Sequence, residues 1–405
     1  MSEMFDVALI GAGPAGATAA TYFANKGFNT LILEKEQFPR FHIGESLLPK
    51  CIPVLLENGI NLEDYPTIAL KKEGAQFFSS ASGALFRFDF TNSLPGGFHY
   101  AYQVNRDLFD HLLASRAQAK GAKVLYGVKV LDWVEQNESI LISTSEGEFK
   151  SRYLIDASGQ SSLMARRAGT KSFLRGLGKC ASFTHYESVS SQKALEQFEQ
   201  GDILVTLTDN QCWAWAIPLP GQHLSLGVVT KDGEVAQDPE TELSNFIQHT
   251  PMITEILEGS SRCAPVRRIA DFSFYNDQPF TKRTVALGDA FGFLDPIFSS
   301  GVTLGICCAQ NLAKCMIDQI KNGQPLKLKK YVEQMSRAYQ TFEKIVERFY
   351  RPGWVETTFF MEDKPIELVA QMTTILAGDV WRTDNPYQNL FLKGKRTSIK
   401  RSLHR

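Results

Sequence analysis

A glycine-rich turn near the N-terminus constrains the fold of this chain more than any other feature. Gly11, Gly13 and Gly16 directly follow the apolar run of residues 5–10, and the alanine-rich segment Pro14–Lys26 continues from them. A short, continuous apolar run is typical of a parallel strand that is covered on both faces, and the alanine-rich segment favours a helix. A strand, a glycine-rich turn and a helix in this order predict the start of a βαβ unit.

The three glycines each meet a requirement of dinucleotide binding. Gly11 lets the chain turn, Gly13 lets the backbone approach a pyrophosphate, and Gly16 lets the helix pack on the strand. The unpaired N–H groups of the first helical turn, around Ala15, would face the anion. Glu34 ends the next apolar run, about 20 residues after the glycines, where a carboxylate can accept a hydrogen bond from a ribose hydroxyl. The sequence therefore predicts a dinucleotide site.

Two later segments indicate which dinucleotide is bound. Asp156–Gly159 and the pair Gly288-Asp289 each end an apolar run, and they resemble the second and third flavin contacts of the FAD-dependent hydroxylase superfamily. The segment Gln103–Arg106 resembles the one whose arginine lies along the cofactor there. The resemblance implies FAD rather than NAD. The expected cofactor contacts are Gly11, Gly13, Ala15, Gly16, Glu34, Lys35, Arg40, Ser46, Arg106, Asp156, Gly159, Gly288 and Asp289.

Composition excludes several classes of function. The chain has 405 residues, 43% of them hydrophobic, and can bury a large core. Its formal net charge of -1 provides no field that would hold nucleic acid. The seven cysteines lack the spacing of a zinc site, so no metal is expected, and they favour a reducing compartment. With no signal peptide and no apolar run long enough for an integral membrane segment, we expect a cytoplasmic protein.

The pattern of apolar runs predicts an α/β (α+β) fold with a discontinuous cofactor domain. We expect a Rossmann-like, three-layer FAD-binding domain, an inserted antiparallel sheet that binds substrate, and a helical C-terminal region with a basic tail. The expected boundaries are 1–70, 100–165 and 280–325 for the FAD-binding domain, 71–99 and 166–279 for the antiparallel sheet, and 326–405 for the helical region.

Three further motifs sharpen the functional hypothesis. Trp213–Pro218 reads W-x-W-x-I-P, Phe293–Gly301 reads F-x-x-P-x-x-S-x-G, and Lys71–Phe77 reads KKEGAQF. The first two resemble hallmarks of the flavin-dependent halogenases, the tryptophan-halogenase-like family, and the third resembles the segment with that family's essential lysine. The likeness extends over nearly the whole chain. It implies an oxidoreductase that uses reduced FAD, oxygen and chloride or bromide to halogenate an aromatic ring.

The resemblance also assigns roles to residues. Lys72 is implied to relay hypohalous acid, and Trp213 and Trp215 to stand between flavin and substrate, so that direct hydroxylation is prevented. The halide is implied to bind at Ser300 and Gly301, where the start of a helix would present N–H groups to it.

The residues themselves constrain the lysine and the substrate pocket. Successive residues of a strand point to opposite faces, so only one of Lys71 and Lys72 can enter an active site. Phe77, Phe86 and Phe298 are expected to line the substrate pocket, although alternation predicts that about half of such phenylalanines lie in the core.

The substrate expectation depends on one departure from the family. The tryptophan-acting members carry a glutamate where this chain has Phe298, and residues 41–49 also look like the branch that acts on phenols and pyrroles. The expected substrate is thus a small aromatic molecule, either free or held on an acyl or peptidyl carrier protein. A second nucleotide motif at residues 176–181 has no strand before it. Reduced FAD is therefore expected from a separate flavin reductase.

Other interpretations remain open on the sequence alone. The Trp pair could be core aromatics, and the Lys pair could protect a sheet edge. The whole chain could be an FAD-dependent aromatic hydroxylase, a geranylgeranyl-reductase-like enzyme, or a flavin-binding docking protein. Residues 393–405 contain six basic residues and no acidic one. This tail is either a solvated terminus or a docking site for an acidic carrier domain.

Overall fold

The computed structural model describes residues 3–174, 179–208, 212–231, 238–270, 273–361 and 363–393. Residues 176–178 of the second nucleotide motif, and the basic tail beyond residue 393, lie outside these ranges. The strands are β1 Met4–Ile10, β2 Thr30–Glu34, β3 Ala69–Lys72, β4 Gly74–Ser79, β5 Leu85–Asp89, β6 Ala101–Val104, β7 Lys123–Tyr126, β8 Val130–Glu135, β9 Ile140–Thr144, β10 Gly147–Asp156, β11 Lys171–Phe173, β12 Lys179–Glu187, β13 Ile203–Leu207, β14 Trp213–Leu219, β15 His223–Lys231, β16 Ser261–Arg262, β17 Arg267–Ala270, β18 Phe274–Asn276, β19 Thr284–Ala286 and β20 Gly292–Phe293.

The helices surround these strands. They are α1 Pro14–Asn25, α2 Ile52–Glu57, α3 Arg106–Ala119, α4 Leu163–Ala168, α5 Gln192–Gln197, α6 Pro239–Gln248, α7 Pro251–Ile256, α8 Ser300–Lys321, α9 Lys329–Phe349, α10 Trp354–Phe359, α11 Ile366–Leu376 and α12 Pro386–Leu392. Within the described ranges, none of them combines the length and the hydrophobicity needed to cross a bilayer.

The first sheet contains the glycine-rich turn. Its order is β7-β2-β1-β10-β9-β8, and β19 pairs with β10 on a branch. The strands β7, β2, β1, β10 and β19 are parallel to one another. Strand β9 pairs antiparallel with β10 on one side and with β8 on the other. The glycine-rich turn, the turn after β10 and the turn after β19 follow the carboxyl ends of neighbouring parallel strands. Open α/β sheets bind their ligands at this edge.

The second sheet is larger and mostly antiparallel. Its order is β16-β12-β15-β14-β13-β4-β5, with β17 also paired to β12. The one parallel pair in this sheet as described is β13 with β4. The described strands also form two small sheets, β3-β6 and β11-β18-β20. The observed architecture confirms the predicted α/β (α+β) class.

Helices α1, α8 and α9 pack in succession over the glycine-rich turn. Gly288 and Gly305 let α8 approach α1, because a Cβ atom at Gly288 would lie 2.9 Å from the Ala15 Cβ and one at Gly305 would lie 3.3 Å from it. The long helix α9 then covers α8 with an apolar face from Tyr331 to Phe349. The start of α8 is thereby fixed beside the glycine-rich turn.

Candidate active site

A cavity of about 840 Å³ opens along the edge where the parallel strands end. Its walls come from the glycine-rich turn, the loop of residues 40–46, the turns after β10 and β19, the start of α8 and the inner face of β14. The cavity therefore brings together segments that are far apart in the sequence. Its volume fits a dinucleotide such as FAD.

The glycine-rich turn has no room for a side chain at Gly11 or at Gly16. Gly11 has a φ of +101°, and a Cβ atom there would lie 2.5 Å from the Ala157 carbonyl oxygen. A Cβ atom at Gly16 would lie 2.1 Å from the Gly11 oxygen. Gly13 is the N-cap of α1 and lines the cavity together with Gly11 and Ala15, which leaves the first N–H groups of α1 facing it. This arrangement fits a pyrophosphate.

Glu34 and Lys35 end β2 at the same edge. The Glu34 carboxylate lines the cavity while accepting hydrogen bonds from the Ala12 N–H at 2.7 Å and the Glu36 N–H at 3.0 Å. These bonds fix its orientation and leave oxygen lone pairs for a ribose hydroxyl. Lys35 also lines the cavity, but its amine is exposed and lies 3.6 Å from the Glu36 carboxylate.

Arg106 holds the loop that forms the next part of the wall. Its guanidinium makes two hydrogen bonds to the buried Asp110 carboxylate, at 2.8 and 3.0 Å, and it donates to the carbonyl oxygens of Ile43 and Gly44. Arg40 also donates to Asp110, at 2.8 Å. The two arginines hold the pKa of Asp110 below its usual range. Both predicted arginines line the cavity, and Arg106 also positions the residues that follow Gly44.

The turns after β10 and β19 form the opposite wall. Gly159, Gly288 and Asp289 line the cavity, and burial raises the pKa of Asp289 to about 6. Asp156 does not reach it. The Asp156 carboxylate is fully buried and accepts hydrogen bonds from the N–H groups of Ser158 and Met164, so the placement does not support the expected direct contact with the cofactor.

The expected halide site lies at the start of α8. Ser299 has a φ of +53° and lines the cavity, as does Gly301. The intervening Ser300 side chain is buried behind them. The first N–H groups of α8 therefore border the cavity, while the Ser300 hydroxyl does not.

Trp213 and Trp215 form a wall of indole rings on β14. They are two residues apart, so they share a face, and their ring centroids are 5.8 Å apart. Both line the cavity. Gly227 on β15 makes room for Trp215, because a Cβ atom there would lie 2.3 Å from two of its ring carbons. The Trp215 ring nitrogen donates to the Ser225 hydroxyl at 3.1 Å.

Lys72 lies one hydrogen bond behind the cavity wall. Its side chain is 0% exposed, and its Nζ donates to the Ser46 Oγ at 2.6 Å. Ser46 itself lines the cavity. Burial lowers the pKa of Lys72 to about 7, and the nearby Asp202 carboxylate partly opposes this effect. An amine that is half neutral near pH 7 can serve either as a hydrogen-bond donor or as a nucleophile.

The neighbouring lysine points the other way. The Lys71 amine is half exposed, lies 3.6 Å from the Glu73 carboxylate and sits 4.9 Å from the centre of the Tyr100 ring. Strand alternation therefore separates the two lysines as expected, and Lys72 is the buried one.

The three phenylalanines predicted for the substrate pocket pack away from the large cavity. Phe77 lies in an aromatic cluster, 5.7 Å from Phe88 and 4.7 Å from Phe359 between ring centroids. Phe86 joins the same cluster through Phe88. Phe298 is buried against Phe349, 5.8 Å away. Their contact with a substrate stays a prediction.

Sequence reasoning missed a hydrogen-bonded chain that joins the indole wall to the loop before α8. The Trp213 ring nitrogen donates to the Tyr350 hydroxyl at 2.9 Å, and that hydroxyl donates to the Asp295 carboxylate at 2.6 Å. Asp295 also accepts from the Ile297 N–H. Burial raises the pKa of Asp295 to about 6. No sequence motif could reveal Tyr350, because it lies far along the chain at the end of α9.

Replacing Tyr350 by Phe is expected to lower the free energy of unfolding by about 1–3 kcal/mol, because it leaves the Trp213 ring nitrogen and an Asp295 oxygen without this partner. Denaturant unfolding measures the change. Tyr331→Phe is the matched control, since the buried Tyr331 hydroxyl has no hydrogen-bond partner among the described residues. If both variants lost the same free energy of unfolding, the hydrogen bonds that Tyr350 makes with Trp213 and Asp295 would have no stabilising role.

Comparison with known proteins identifies the family. A family model described as tryptophan halogenase matches residues 6–88 and 86–383. A 1H-pyrrole-2-carbonyl-peptidyl-carrier-protein chlorinase from Pseudomonas fluorescens is 28% identical, covering 93% of this chain and 90% of that protein. The corresponding brominase from Pseudoalteromonas luteoviolacea is 30% identical, covering 76% of each. The structure of the flavin-dependent brominase Bmp2 has a TM-score of 0.85 and 25% identity, covering 96% of this chain and 98% of that one. The chain belongs to the tryptophan halogenase family and is a flavin-dependent halogenase that uses FAD and a halide.

Proposed function

We propose that this enzyme installs chlorine or bromine on an electron-rich phenol or pyrrole, either free or held on a carrier protein, with Lys72 as the halogen relay. The observation that carries the proposal is the fully buried Lys72 amine, one hydrogen bond behind the Ser46 wall of an FAD-sized cavity. The names of the chlorinase and the brominase support a carrier-bound pyrrole. This chain has Phe298 where the tryptophan-acting members carry a glutamate, which argues against tryptophan as the substrate.

When bound in its reduced form, FAD supplies two electrons to dioxygen, which with a halide ion and a proton yields hypohalous acid, water and oxidised FAD. The first N–H groups of α8, at Gly301, would hold the halide, because the positive end of a helix attracts anions. Asp289 lies beside this site, and burial raises its pKa to about 6, so the negative charge that would repel an anion is partly removed as the pH falls toward 6.

The two indoles keep the aromatic substrate away from FAD in this proposal. Trp213 and Trp215 are fixed from behind by Tyr350 and Ser225, so their rings do not turn aside without breaking hydrogen bonds. In this proposal the halide enters at the start of α8, and the two indoles keep the much larger aromatic ring from FAD. The oxidant therefore leaves the cavity as hypohalous acid and meets Lys72.

Lys72 then holds the halogen beside the substrate. The protonated amine would donate a hydrogen bond to hypohalous acid, and the neutral amine would attack the halogen to give a haloamine. In either form, the ring carbon gains the halogen and loses a proton, and the oxygen of hypohalous acid leaves as water. We further propose that a separate flavin reductase supplies reduced FAD and that both enzymes work in the cytoplasm.

Supplying chemically reduced FAD, oxygen and bromide tests the function. We expect brominated products, detected by mass, from small phenols or from a pyrrole loaded on a carrier protein, and no product when bromide and chloride are omitted. An oxygenated aromatic product that forms at the same rate without halide would assign hydroxylation instead.

The pH dependence of product formation is expected to follow the pKa of Lys72. Replacing Asp202 by Asn removes a negative charge that stabilises the ammonium. The pKa of Lys72 should therefore fall from about 7 to a lower value. In a plot of product formation against pH, we expect the part of the curve that reflects the titration of Lys72 to shift by about 0.5–1 pH unit toward acid. The amide can still accept from the N–H groups of Glu73 and Gly74, which Asp202 binds in the wild type.

Asp89→Asn is the matched control for this prediction. Asp89 is the other carboxylate partner of Arg87, at 2.6 Å, but it exerts none of the effects that set the pKa of Lys72. Loss of the Arg87 ion pair alone should therefore leave the profile in place. Identical profiles for wild type and Asp202→Asn would exclude Lys72 as the titrating group.

A further inference from the structure

Three potential metal ligands meet on one face of the second sheet, outside the residues that line the FAD cavity. In the antiparallel register of β12 with β15, Tyr186 pairs with Leu224, so the next pair places Glu187 opposite His223. Directly opposite residues of neighbouring strands share a face of the sheet. On the other side of β12, the Cys263 N–H donates to the His185 carbonyl at 2.9 Å. Cys263 therefore lies opposite His185, which shares its face with Glu187.

The ligand atoms of these residues are already close together. The Glu187 carboxylate, a ring nitrogen of His223 and the Cys263 sulfur all lie within 4.8 Å of one another. A tetrahedral zinc ion with bonds of the usual lengths needs ligand atoms about 3.5 Å apart. Glu187 and Cys263 are exposed side chains, so a change of rotamer can close the difference without moving the strands.

His223 is oriented as metal-binding histidines usually are. Its Nδ1 lies 3.1 Å from the Pro220 carbonyl oxygen, and a carbonyl can only accept, so Nδ1 carries the proton. The lone pair of the imidazole is then on Nε2. A backbone carbonyl that fixes the tautomer in this way is the common support of a histidine ligand. This contact is independent of the strand register that gathers the three side chains.

We propose that Glu187, His223 and Cys263 form a binding site for a divalent cation of borderline softness, with zinc the best match. A thiolate, an imidazole and a carboxylate are together the ligand types that zinc accepts, and water would fill the fourth position. On binding, the Cys263 thiol loses its proton to solvent as the sulfur bonds to the metal. The ion joins the ends of β15 and β12 to the segment after β16, and it should raise the thermal stability of the second sheet.

Calorimetric titration of the FAD-loaded enzyme with zinc tests the site. We expect one equivalent to bind with micromolar or tighter affinity, and Cys263→Ser or His223→Gln to weaken it on the order of 100-fold. Cobalt provides a second readout, because a cobalt–thiolate bond gives a near-ultraviolet charge-transfer band that Cys263→Ser should abolish. Zinc is also expected to raise the Tm of the wild type but not that of Cys263→Ser.

His249→Gln and Cys315→Ser are the matched controls. His249 also directs Nδ1 to a carbonyl, that of Asn245 at 2.8 Å, but it stands outside the cluster. Both control variants should bind zinc as the wild type does. Zinc binding that Cys263→Ser and His223→Gln leave unchanged, or no binding to the wild type, would overturn the proposal.

Discussion

Lys72→Leu is expected to abolish the halogenated product while FAD reoxidation continues at the wild-type rate. Leucine is apolar and fills most of the buried site next to Phe90, but it neither donates to hypohalous acid nor attacks it. Lys72 lies behind the wall rather than in the FAD cavity, so the substitution should leave the rate of the reaction with oxygen unchanged. Product formation should drop about 1000-fold or more, measured by mass spectrometry alongside oxygen consumption.

This loss should not come from unfolding. The pKa of Lys72 falls from 10.5 to about 7 in the folded protein, so its contribution to stability is full above 10.5 and is lost as pH falls through about 7. At pH 7 and below, replacing this buried amine with leucine should leave Tm at least as high as that of the wild type. Lys71→Ala, at the exposed neighbouring position, should change neither product nor Tm. Halogenated product from Lys72→Leu at the wild-type yield would refute the relay.

Gly11→Ala is expected to destabilise the protein by about 2–4 kcal/mol and to weaken FAD binding on the order of 100-fold. The new Cβ atom would lie 2.5 Å from the Ala157 carbonyl oxygen, which is backbone and cannot turn aside. The φ of +101° adds strain for any residue with a side chain. Both effects move the turn that should hold the pyrophosphate. Denaturant unfolding and an FAD fluorescence titration measure them.

Gly27→Ala is the control for backbone strain without a clash. Gly27 has a φ of +81°, and a Cβ atom there would meet nothing within 4 Å. Its replacement should cost about 1 kcal/mol and leave FAD affinity unchanged. Equal FAD affinities for Gly11→Ala and Gly27→Ala would show that the turn at Gly11 does not shape the cofactor site.

The parts of the fold set by local chemistry were predictable from the sequence. The glycine-rich turn needs glycine for steric reasons, and it begins α1 where the pattern predicts. Alternation along β3 correctly separates a buried Lys72 from an exposed Lys71. The alanine-rich segment Pro14–Lys26 forms α1, which ends at Asn25.

The parts that depend on long-range packing were not predictable. Asp156 ends a strand at the right edge of the sheet, but its side chain caps the following turn, and only coordinates show which N–H groups it binds. Asp202 and Tyr350 act on Lys72 and Trp213 from positions far away in the chain. The cluster of Glu187, His223 and Cys263 arises from the register of three strands, whereas cysteine spacing predicted no metal site.

A scavenging experiment tests most directly whether Lys72 receives the oxidant made in the FAD cavity. Reduced FAD, oxygen, bromide and an aromatic substrate are supplied together with excess free methionine, which consumes hypobromous acid in solution. The account predicts that the wild type still brominates the substrate, whereas Lys72→Leu releases all of its oxidant to the scavenger as methionine sulfoxide. Substrate bromination that the scavenger suppresses equally in both enzymes would contradict it.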